Sequence, residues 1–86
     1  MNVTDTLRTS PIHSIEWGEA TWDPEDISIR NRYDNASGGR YNHSGSSEVP
    51  WEDFKIMILE SIRRNHLNNI ELGEIMDEIA TRLKTL

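Results

Sequence analysis

The sequence predicts an α+β fold, a small antiparallel sheet in the N-terminal half packed on a C-terminal α-hairpin. Three observations predict it. Apolar and polar residues alternate at a period of two in "HSIEW" (13–17) and "ISIRNRY" (27–33). From Pro50 onward the apolar spacing changes to three and four. Turn-forming residues separate the short runs, whereas the helical runs are separated only once.

Taken in order, residues 1–12 read as a flexible tail ending in Ser10-Pro11. Residues 13–86 read as one α+β domain. His13 to Trp17 form a short strand that Gly18 ends. "ATW" (20–22) starts a second short strand or joins the turn Asp23-Pro24-Glu25-Asp26. In the strand at 27–33, Ile27, Ile29, Asn31 and Tyr33 share one face, and Ser28, Arg30 and Arg32 share the other. "DNASGG" (34–39) is dense in turn residues, so "RYNHS" (40–44) becomes the return strand of a hairpin. The β region runs from 13 to 48.

Pro50 suits the first turn of a helix over 50–66, with Glu52 and Asp53 at its positive pole and Arg63 and Arg64 at its negative one. Trp51, Phe54, Ile58 and Ile62 form its stripe, with Trp51 anchoring the helix start in the core. Ile56, Met57 and Leu59 widen that stripe past half the circumference, so the helix meets more than one element. Asn68 and Glu71 have capping-box spacing for a second helix over 69–85. That helix carries one stripe of Leu72, Ile75, Met76, Ile79, Ala80 and Leu83. The short connection predicts antiparallel helices.

Composition bounds the function. An 86-residue chain with 35% hydrophobic residues and no cysteine has a limited core and no covalent reinforcement, which favours a homo-oligomer. The net charge of −6 argues against general DNA or RNA binding. No apolar run reaches transmembrane or signal-peptide length, so no membrane association and a cytoplasmic location are expected. His13, His43 and His66 lack metal-ligand spacing, and neither a metal nor another cofactor is expected.

Charge is unevenly placed. Residues 1–26 carry one base against six acids, and residues 46–86 carry five bases against eight acids. Between them, Arg30, Arg32 and Arg40 face only Asp34 in sequence. Arginine offers bidentate contacts and stacks on aromatic rings, so Arg30, Arg32 and Arg40 beside Tyr33, Tyr41 and His43 are candidate binding residues. Trp17 and Trp22, near acids, join them as candidate interface residues.

No catalytic constellation is present, and the expected function is non-enzymatic. The first expectation is a small acidic protein that binds another protein as regulator or inhibitor, such as a virus-encoded defence inhibitor or a toxin neutraliser. The second is an oligomeric binder of a nucleotide or other anionic small molecule through the Arg/Tyr hairpin. The third is a small nuclease or phosphotransfer enzyme using His43. One geometric question decides what the arginines do. Paired with Glu16, Glu19 or Asp26 across the sheet, they are structural; converging on solvent with Tyr41 and His43, they form a working surface.

Overall fold

A computed structural model describes residues 1–36 and 40–85. The element order is β1 (Asn2–Ser10), β2 (His13–Glu19), β3 (Ile27–Tyr33), β4 (Ser47–Pro50), α1 (Trp51–Arg63) and α2 (Asn69–Leu83). The strands form one antiparallel sheet in the order β1-β2-β3-β4, and the two helices follow, giving the α+β class. Two compact units result, Met1–Lys55 and Ile56–Leu86, with the boundary inside α1. No helix among the described residues is long and apolar enough to cross a membrane.

Residues 1–12, expected as a tail, are largely β1. Their polar sequence hides this, because β1 is an edge strand held by backbone pairing to β2 from Asn2↔Glu19 to Ser10↔His13. Most of its side chains are exposed, so no apolar alternation was required of them. Gly18 does not end β2 but sits inside it. A Cβ there would lie 2.1 Å from the Asn2 carbonyl oxygen, so β1 approaches closely only because residue 18 has no side chain. The ladder irregularity between Val3 and Asp5 lies beside this approach.

The hairpin also differs from expectation. The return strand is β4, paired from Ser28↔Pro50 to Asn31↔Ser47, and not residues 40–44. Residues 40–44 contribute an isolated bridge, Asp34↔Tyr41. Part of the predicted 34–39 turn, residues 37–39, lies outside the described residues. The 20–26 segment is a turn and not a strand. Ala20 N donates to Asp26 O at 3.0 Å, and Asp26 N donates to Asp23 O at 3.0 Å. The Asp23 carboxylate also accepts from Glu25 N at 2.9 Å.

Helix ends follow local chemistry. α1 closes on Asn65 with φ of 62°, a left-handed conformation asparagine tolerates. His66 N donates to Ser61 O and Asn65 N to Ile62 O, which satisfies two terminal carbonyls. At α2, Glu71 N donates to the Asn68 side chain at 2.8 Å, and Asn68 N donates back to Glu71 Oε1 at 3.0 Å. The capping box read from the sequence is therefore formed. Trp51 is not a core anchor: it is 39% exposed, with its ring 5.4 Å from that of Phe54.

Gly18→Ala tests the close approach. The added methyl group must push β1 away, and we expect a loss of about 1–3 kcal/mol in urea unfolding. Hydrogen exchange at the β1 amides should accelerate while the β2–β3 ladder stays protected.

Candidate functional site

The sheet has an unusual division of faces. Directly opposed residues point to the same side, so the register Ser14↔Arg32, Glu16↔Arg30 and Gly18↔Ser28 defines one polar face. That polar face is the covered one: Ser14, Glu16 and Ser28 are buried. Small residues at 14, 18 and 28 leave room for the long side chains of Glu16, Arg30 and Arg32 to lie across the sheet.

These charges form a continuous cluster. Arg30 donates from Nε at 2.8 Å and approaches through Nη2 at 2.7 Å, both to Glu16 Oε1. Arg32 Nη1 lies 3.5 Å from Glu16 Oε2, and its Nε donates to Asp34 Oδ1 at 2.9 Å. Arg8 Nη1 reaches Asp34 Oδ2 at 3.5 Å from the edge strand. The Asp34 hydrogen bond holds the Arg32 guanidinium above its ordinary pKa against the opposing effect of burial, and Glu16 adds to this.

Tyr41 covers the cluster. Both the Arg30 and the Arg32 guanidinium lie 4.9 Å from the centre of its ring. His43 meets the Tyr41 ring edge-on at 4.1 Å. The segment is tied down by Asn42 N donating to Tyr33 O at 2.8 Å and by Ser46 Oγ donating to Asn42 O at 2.7 Å. Glu48 extends the polar face from β4. Burial pushes its pKa up, but hydrogen bonds from Thr21 and Ser28 and the Met1 ammonium outweigh this and hold it below the ordinary glutamate range.

The opposite face carries Ile15, Trp17, Ile29 and Val49, all half-buried, with Leu7 and Ile27 exposed. Tyr33 is on this side, its ring 4.5 Å from that of His13. Around Ile27, which is 60% exposed, lie two adjoining hollows. The first, about 220 Å³, includes Trp17, Pro24 and Ile27 with Glu19, Glu25 and Asp26. The second, about 310 Å³, is lined by Ile27, Pro50 and Trp51 with Glu25, Asp26 and Glu52. Neither has a basic residue in its lining. Trp22 stands nearby in sequence, 49% exposed, with its Nε1 donating to Asp26 Oδ2 at 3.1 Å.

The eight candidate residues therefore divide. Arg30, Arg32, Tyr41 and His43 meet on the polar face. Tyr33 and Trp17 belong to the other face, Trp22 to the 20–26 turn, and Arg40 is exposed beyond the bridge at Tyr41. Of the pairings weighed for the arginines, Glu16 is used. Sequence reasoning missed Asp34 as a buried partner, and it missed Glu19, Glu25, Asp26, Ile27 and Trp51 as neighbours around hollows. The signal for the hollows was the Asp-Pro-Glu-Asp turn between two tryptophan-bearing segments.

An apolar floor edged by carboxylates suits a cation carried on an apolar stem, as in a lysine or arginine side chain. The polar face suits no added cation, and its arginines already have carboxylate partners.

Two expectations follow. Glu16→Gln should cost up to about 3 kcal/mol in chemical unfolding, because the half-buried Arg30 loses its countercharge. For Glu48, a folded-state pKa below the unfolded value of about 4.3 means stability present above that pH and lost as pH falls through the folded value. Unfolding free energy measured from pH 5 downward should fall less steeply in Glu48→Gln than in the native chain. No family model matches the chain, and neither a curated protein nor a solved structure matches it.

Proposed function

We propose that this chain is a non-enzymatic binding protein that acts by occupying another protein. Its contact surface is the pair of acid-edged hollows around Ile27. The carrying observation is that Trp17, Ile27 and Trp51 supply an exposed or half-exposed apolar floor beside Glu19, Glu25, Asp26 and Glu52. A partner that fits presents lysine or arginine next to apolar side chains. Tryptophan is enriched among residues that dominate binding energy, and complementary charge steers association.

The state of the arginines supports a protein partner over a nucleotide. Arg30 and Arg32 have Glu16 and Asp34 within ion-pair distance, so a phosphate would compete with carboxylates already in place. The segments that carry most of the negative charge, by contrast, border an open apolar surface.

The test is a titration followed by tryptophan fluorescence and amide chemical shifts. A short synthetic peptide alternating arginine and leucine should shift the Ile27 and Trp17 signals. Glu19→Lys with Glu25→Lys should weaken it at least tenfold without lowering the melting temperature by more than a few degrees. In parallel, nucleotides at a hundredfold over a working dissociation constant would add about 2.7 kcal/mol if they bound. A nucleotide-linked gain in stability together with an unresponsive Trp17 and Ile27 would sink the assignment.

A further inference from the structure

The unit Ile56–Leu86 is shorter than the roughly 40 residues below which a folded unit needs outside support. Neither helix has a buried residue. Among its large apolar side chains, Ile56, Met57, Ile79 and Leu83 are more than half exposed, and Ile70 and Met76 are 74% and 72% exposed. Helices of this length are marginal alone and draw their stability from covering an apolar face. A hollow of about 310 Å³ lined by Ile62, Leu72, Ile75, Met76 and Ile79 marks where that cover is missing.

We infer that the apolar face of α2 pairs with α2 of a second copy of this chain, in antiparallel orientation. Leu72, Met76, Ile79 and Leu83 fall on one side of the helix at spacings of three and four. Setting a two-fold axis between Asp77 and Glu78 brings Leu72 opposite the second copy's Leu83, and Met76 opposite its Ile79.

Charge selects both the copy and the direction. In α2 the acids Glu71 and Glu74 come early and Asp77 and Glu78 about the middle, and the basic residues Arg82 and Lys84 come at its end. A parallel copy would align acids with acids. An antiparallel copy sets each start, with Glu71, beside the other's basic end and opposes the helix dipoles. Glu71 and Arg82 lie on the same flank of the stripe, so they meet across the axis.

Local shape agrees with this. Gly73, inside α2, has nothing within 4 Å of the position a Cβ would take. Glycine there costs about 1 kcal/mol of helix stability relative to alanine and leaves a low spot beside Met76 and Ala80. A closely approaching second helix uses that low spot.

Sedimentation velocity over a concentration series should give twice the chain mass of 10.0 kDa for the native protein. Met76→Asp with Ile79→Asp should return it to 10.0 kDa, with lower far-UV helicity because the helices lose their cover. The native chain has no cysteine, so single-cysteine variants report direction independently of that double variant. Leu72→Cys mixed with Leu83→Cys should form a cross-linked pair on mild oxidation, and each variant alone should not. Self-linked Leu72→Cys would mean parallel pairing. A native mass of 10.0 kDa at every concentration would mean no self-pairing. Either result overturns the inference.

Discussion

The Glu16 carboxylate is the constraint on which the N-terminal unit depends. It is buried, and it bridges Arg30 and Arg32 on the neighbouring strand. A lone carboxylate in that position would be untenable, since burying an unpaired charge costs several kcal/mol. The surrounding sequence answers that demand. Small residues flank the pair, Asp34 takes the far side of Arg32, and Tyr41 covers both guanidiniums. The sheet thereby encloses ions on one side and leaves its apolar side partly open. That inversion explains a chain with one buried hydrophobic residue among those described, Ala20.

The inversion also ties register to electrostatics. In an antiparallel ladder a one-residue slip moves every side chain to the other face. Here it would carry Glu16 to the apolar side and turn Trp17 toward Arg30. Hydrophobic patterning alone would discriminate weakly between such registers, because the apolar side is only half-covered. The ion cluster supplies the missing discrimination, and it does so at the strand pair that joins the edges of the sheet.

What the sequence made legible depended on whether local chemistry dictated the outcome. The β3 alternation, the capping box of Asn68 and Glu71 and the acidic start of α1 are short-range signals, and all are formed. β1 was invisible because an exposed edge strand is specified by backbone pairing and not by side-chain pattern. β4 was missed because it is four residues long and its pairing partner lies across a segment that looked like the hairpin's own return. For the candidate site, the same limit applied. The arginines and Tyr41 do come together, as residue type suggested, but only spatial pairing reveals that Glu16 and Asp34 neutralise them. The hollows around Ile27 combine residues from β2, the 20–26 turn and the β4–α1 junction, which no local window contains.

The chain has two tyrosines, and the sheet separates them. Tyr41 lies over the guanidinium pair, and Tyr33 rests against His13 on the other side. Each face thus carries its own phenol chromophore in a distinct electrostatic setting. Ultraviolet difference spectra and ring-modifying reagents can follow the ionic face and the apolar face separately. Occupation of one face and loosening of the other become two readable events in a single sample.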